Sequence, residues 1–150
     1  MRRSKKKYSK PKMMWDKEKI AAEKKLQQKY GLKNKREIWK AERVIKRLRE
    51  QAKKLLTAST EEQAEFLRLL EKRGLIQAKN VDEVLELKAE NVLNRRLQTV
   101  VVEKFKLKPK QARQAITHGH VLVSNRKVNI PSYFVDLETE KKVFYTKSSE

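Results

Sequence analysis

Between Lys35 and Thr57 six apolar residues, Ile38, Ala41, Ile45, Leu48, Ala52 and Leu55, are spaced 3, 4, 3, 4 and 3. That spacing draws one stripe along an α-helix and fits no strand. A helix this long must bury its stripe against other apolar surface, so the chain folds around it. The remaining positions carry Arg36, Lys40, Arg43, Lys46, Arg47, Arg49, Lys53 and Lys54 against Glu37, Glu42 and Glu50. Pairs at i,i+4 neutralise some of these cations. The acids are too few for all of them, so the outer side is read as facing phosphate. Arg36, Lys40, Arg43 and Arg47 are its candidate contacts.

The excess is not local to that helix. The 150 residues hold 39 Lys and Arg against 19 Asp and Glu, a net charge of +20. Such a charge opposes compaction unless a polyanion neutralises it, and nucleic acid is the leading partner. Residues 1–60 carry +16, residues 61–94 carry −3 and residues 95–150 carry +7. An anionic membrane is the competing polyanion, but no apolar run approaches the roughly 20 residues that span a bilayer. Nor does an apolar stretch follow the basic start MRRSKKKYSKPKMMW, so it is not read as a secretory signal. With no cysteine, neither a disulfide framework nor a cysteine metal site is expected.

Residues 1–14 read as a basic disordered arm, with seven Lys and Arg and no acid in the first twelve. Asp16 suits the N-cap of a helix that ends near Gly31. After the striped helix, Ser59-Thr60-Glu61-Glu62 fits a capping box. Phe66, Leu67, Leu69 and Leu70 then form the expected buried side of a third helix that ends at Gly74. Val81, Val84, Leu85 and Leu87 suit a short turn or helix. From about Ala89 a further helix is expected to bury Val92, Leu93, Leu97, Val100 and Val101. Pro109 suits the first turn of a new helix, whose small apolar face is Ala112, Ala115 and Ile116 and which Gly119 stops. His120–Val123 and Lys127–Ile130 read as strands around a turn at Ser124-Asn125-Arg126. Tyr133–Val135 and Lys142–Tyr145 offer two more. The expected class is α+β: a helical part over 15–94 and a small module of two helices on a short twisted antiparallel sheet over 95–150.

Four pieces of that second part occur in order: Arg95-Arg96-Leu97-Gln98, Ala112-Arg113, His118-Gly119-His120 and Pro131-Ser132-Tyr133. Together they resemble the S4 RNA-binding module. YGLKNKREIWKAERVIKRLREQAKKLL and VDEVLELKAENVLNRRLQT are similar to the helical domain of the ribosomal protein S4 family in its archaeal and eukaryotic form. The resemblance spans about residues 15–145. It implies a structural, non-enzymatic constituent of the small ribosomal subunit, cytoplasmic on the ribosome. It implies direct binding to small-subunit rRNA within the 5′ domain, a part in nucleating assembly, and contact with neighbouring small-subunit proteins. The region where mRNA enters is a further candidate partner. The chain departs from the family at Asn125, where glycine is common, and in lacking the usual extension after the last strand. The absence of a cysteine knuckle agrees with the archaeal and eukaryotic type.

Within the module, Arg95 and Arg96 point about 100° apart if helical, so one is expected on RNA and the other bracing the module. Lys104, Lys106, Lys108 and Lys110 line the turn between the two module helices. Gln111, Arg113 and Gln114 lie in the first turns of the second helix, where free N–H groups attract phosphate. Gln98 is a candidate donor to sugar or base, and Arg126 and Lys127 crown the hairpin. Arg96, Lys108, Arg113 and Arg126 are expected on one basic face. His118 and His120 suit either a helix C-cap or contact with phosphate or ribose. Two histidines without further ligands do not make a metal site. With three glycines, no phosphate-binding loop and no catalytic motif, neither a cofactor, a small-molecule substrate nor a catalytic residue is expected. An enzyme carrying the module would need a further domain, a free-standing heat-shock module would lack residues 15–94, and a DNA-compacting polycation would show no RNA preference.

Overall fold

The computed structural model describes residues 6–13 and 15–146. The first helix, α1, is Lys17–Tyr30. The Asp16 side chain accepts from the Glu18 and Lys19 amides at 3.1 and 3.4 Å, and Gly31 closes the helix at φ 60°. The striped helix is α2, Lys35–Leu55, with Ile38, Ala41, Ile45, Leu48 and Ala52 all buried. Ser59 caps α3, Thr60–Lys72, by accepting from the Glu62 amide. A 3-10 turn at Val81–Glu86 and the short helix α4, Ala89–Asn94, then pack on α2. These elements share one apolar cluster built on the α2 stripe, Leu70, Val84, Leu87 and Leu93.

Of the expected buried side of α3, only Leu70 is fully inside. Phe66 and Leu67 are half-buried, and Leu69 is 43% exposed. The helix lies over the edge of the cluster rather than within it, with Phe66 and Leu67 packed against it beside Leu70.

The second half has α5, Leu97–Phe105, and α6, Pro109–Thr117, packed on each other. The strands are β1, Val121–Val123, β2, Arg126–Lys127, and β3, Val143–Tyr145, in the antiparallel order β2-β1-β3. A second cluster sits between them, built on Leu97, Val101, Ala112, Ile116, Val121, Val135 and Val143. The α+β architecture is therefore present: helices first, then helices on a small sheet.

Three local expectations need correction. The helix expected from Ala89 through Val101 is interrupted at Arg95 and Arg96. Arg96 is extended, and this stretch pairs instead with Pro131–Val135 through Leu97 N to Tyr133 O at 2.8 Å and Val135 N to Arg95 O at 2.9 Å. That pairing reduces the expected strand at Tyr133–Val135 to one bridge between Arg96 and Phe134. The return strand stops at Lys127, and a short helix, α7, Leu137–Lys141, precedes β3. The hairpin turn holds Ser124 and Asn125 at φ 49° and 65°, the double left-handed geometry that matches the twist of paired strands.

Residues 1–5 and 14 of the expected arm lie outside the described residues. Within 6–13 there is no helix or strand, but the segment is not without contacts. The Tyr8 ring lies 6.0 Å from that of Trp39, and Arg43 donates to the Lys6 carbonyl at 2.8 Å.

Candidate nucleic-acid interface

Three acids decide which cations are available. Glu37 of α2 accepts from Arg96 at 2.6 Å and meets Arg113 of α6 at 3.5 Å. Glu140 of α7 takes Arg95 at 2.6 Å. Glu23 of α1 accepts from the Trp39 indole at 2.9 Å and meets Lys35 at 3.2 Å. Each acid ties two elements together, so the cations they hold brace the fold.

Four candidate contacts are thereby reassigned to structure. Arg96 is 6% exposed, leaves the expected basic face, and is a bracing residue. Arg95 braces as well, so the two arginines divide between two acids rather than between acid and RNA. Gln98, the candidate sugar donor, is 1% exposed and donates to the carbonyls of Tyr30, Gly31 and Pro109 at 3.0–3.2 Å. It joins the end of α1 to the start of α6. Lys104 donates to the carbonyls of Glu140, Lys141 and Val143, which closes the end of α7. Arg36 and Arg43 are partly engaged with the arm, Arg36 lying 5.9 Å from the Tyr8 ring centre.

The other candidates stay on the surface. Lys40 and Arg47 of α2, Lys106, Lys108 and Lys110 before and within α6, and Arg126 and Lys127 of the hairpin are exposed and take no ion pair among the described residues. Lys106 itself sits at φ 52° and turns the chain from α5 toward α6. Gln111 accepts from the Lys108 amide at 3.3 Å and so fixes the helix start. The Lys110 and Gln111 amides precede the first helical bond of α6, which runs from the Ala112 amide to the Lys108 carbonyl.

Two concavities flank α6. One, of about 840 Å³, lies against the end of α1 and brings Lys33, Lys108, Lys110 and Arg113 together. The other, of about 400 Å³, is lined by Gln111, Gln114, His118, His120 and Tyr145. His118 follows α6 as its C-cap, its amide donating to Gln114 O at 3.0 Å, and its ring stacks on His120 with centres 6.2 Å apart. Both roles foreseen for the histidines are therefore open to them. Among the described residues no group of three His, Cys, Asp or Glu could hold a metal, and no helix is long and apolar enough to cross a membrane.

Sequence reasoning passed over Glu37, treating it as one acid of a solvated helix face. The available signal was its place beside Ile38, at the edge of the stripe. It also missed Tyr8, which nothing in a Lys-rich run marks as docked.

Fold and site define a protein built on an S4 domain, since residues 95–140 match that family. The chain is similar to the small ribosomal subunit protein uS4 of Thermoplasma volcanium, 42% identical over 96% of this chain and 76% of the relative. It is 41% identical to the same protein of Methanococcus aeolicus, over 99% of this chain and 88% of the relative. The uS4 of Methanothermobacter thermautotrophicus is 39% identical, over 99% and 90%. The chain belongs to the uS4 family, in the archaeal branch of which these relatives lie.

Proposed function

We propose that this chain is a structural, RNA-binding component of the small ribosomal subunit. It binds small-subunit rRNA within the 5′ domain and helps nucleate assembly, beside neighbouring small-subunit proteins and near the path by which mRNA enters. The observation that carries this reading is the division of the cations. The module's arginines at 95 and 96 are spent on Glu140 and Glu37, while Lys106, Lys108, Lys110, Arg126 and Lys127 stand exposed. A fold that spends Glu37 and Glu140 on its own arginines and leaves these lysines outward suits a polyanion. Lys108 and Lys110 stand at a helix start whose unbonded amides add to the attraction. Arg113 lines the same concavity with its side chain 27% exposed, its two terminal nitrogens 3.4 and 3.5 Å from Gln98 and Glu37, so its charge adds to that of the lysines.

The test is Lys108→Glu with Lys110→Glu. The double variant should keep the wild-type circular dichroism melt and lose affinity for a 5′-domain fragment of small-subunit rRNA. Its slope of log affinity against log salt should fall by about 2, one for each phosphate contact removed. An unchanged slope would place the RNA elsewhere.

A further inference from the structure

Arg36, Lys40, Arg43 and Arg47 are spaced 4, 3 and 4, which makes them one row along α2. Segment 6–13 docks on a flank of that row. The Tyr8 ring lies 6.0 Å from the Trp39 ring and tilted 30° to it, and the Arg36 guanidinium lies 5.9 Å from the centre of the Tyr8 ring. One turn further along α2, Arg43 donates to the carbonyls of Lys6 and Tyr8 at 2.8 and 3.5 Å. Pro11 and Met13 carry the segment across to α1, where they line a gap of about 100 Å³ with Asp16, Lys19 and Ile20. Trp39 is a fixed platform for this docking, because it is buried and its indole donates to buried Glu23 at 2.9 Å.

Charge does not explain this contact. The segment holds Lys6, Lys7, Lys10 and Lys12 and no acid, and it lies against a row of cations, so the two repel. The aromatic pair and the bonds from Arg43 to backbone carbonyls hold it there against that repulsion. The four lysines all stay exposed, as do Lys40 and Arg47 in the row. Cations gathered in this way strain the free protein and suit a polyanion that neutralises them together. We propose that Tyr8 is a latch that holds the arm on α2 before RNA arrives, so that its lysines join Lys40 and Arg47 in one preformed strip for the phosphate backbone. Arg36 and Arg43 are positioning residues of that strip: they hold the arm, and the arm's lysines meet the phosphates. This rests on the rRNA-binding reading above and adds to it a second surface, on the helical half of the chain. An arm ordered in advance binds more tightly than the same charges on a loose tail, because less freedom is lost on binding.

Tyr8→Ala removes the ring and no charge. Tyr8 belongs to neither apolar cluster, so the fold should stand. Without RNA, trypsin should cut Tyr8→Ala after Lys6, Lys7 and Lys12 about tenfold faster than wild type, since cleavage follows the population of the undocked arm. The dissociation constant for the 5′-domain rRNA fragment should rise about tenfold, with the salt slope unchanged because every cation remains. Tyr8→Phe keeps the ring and should match wild type in both assays. Equal cleavage of wild type and Tyr8→Ala would overturn the latch. Faster cleavage with unchanged affinity would overturn the strip. A wild type with no preference for the fragment over competitor RNA would overturn the rRNA-binding reading and the strip with it, whereas the trypsin comparison needs no RNA and judges the latch by itself.

Discussion

Glu37→Ala removes the carboxylate that joins α2 to both Arg96 and Arg113. The Arg96 side chain is 8% exposed and that of Glu37 16%, so the pair is almost out of water. Taking away one partner strands a buried guanidinium whose Nε already lacks an acceptor. Breaking buried pairs in this way costs about 3–5 kcal/mol. The residual exposure of Glu37 lets water reach the stranded group and puts the cost near the lower end, about 3 kcal/mol. Losing the longer, more exposed contact to Arg113 adds roughly 0.5 kcal/mol at most. With a urea slope of about 2 kcal/mol per molar, the midpoint should fall by about 1.5 M in a titration followed by circular dichroism. The cost comes from the stranded charge, so Glu37→Leu combined with Arg96→Met should return to within about 1 kcal/mol of wild type. A single variant within about 1 kcal/mol of wild type would refute this reasoning, as would a double variant no better than the single.

Gly31→Ala should destabilise by about 2 kcal/mol or more, seen as a lowered melting temperature. The residue sits at φ 60°, and a Cβ there would lie 2.6 Å from Pro109 Cβ. Leu70→Ala, at a fully buried position, should cost about 3 kcal/mol in the same assay. The ion pair of Lys29 and Glu90 ties α1 to α4. The hydrogen bond from Lys29 holds the Glu90 carboxyl below its ordinary value, and the bond to Glu90 holds Lys29 above its own. Its small stabilisation is therefore present at neutral pH, lost as pH falls through the lowered Glu90 value, and lost again as pH rises through the raised Lys29 value. Lys29→Met should melt slightly below wild type at pH 7 and level with it in acid.

What was legible in the sequence had strong local causes. The α2 stripe follows from a period that only one helix face satisfies, and Asp16, Ser59, Pro109 and Gly31 mark ends because caps are chemistry of single residues. The hairpin turn at Ser124-Asn125 follows likewise from tolerance of positive φ. The breaks at Arg95-Arg96 and at Gln98 involve residues far apart in the chain. Arg95-Arg96 looks helical because its neighbours are, yet the helix breaks there and Arg96 is extended because Pro131–Val135 pairs with this stretch. Arg96 and Gln98 looked like RNA ligands because Arg and Gln usually lie outside. They are buried because Glu37, 59 residues from Arg96 in sequence, and the carbonyls of Tyr30, Gly31 and Pro109 supply their partners. No spacing rule along the chain reports such a meeting. Lys106, Lys108, Lys110, Arg126 and Lys127 were legible as surface because lysines with no acid near them have nowhere else to go.

The central claim is that this surface reads the shape of one RNA and not charge alone. Its most direct test is binding to the 5′-domain fragment of small-subunit rRNA at rising salt, with unrelated structured RNA and duplex DNA as competitors. Salt weakens phosphate contacts equally for all three. A preference for the rRNA fragment that persists at high salt is the predicted result. Equal loss of all three would contradict it and leave the chain a polycation on the uS4 fold.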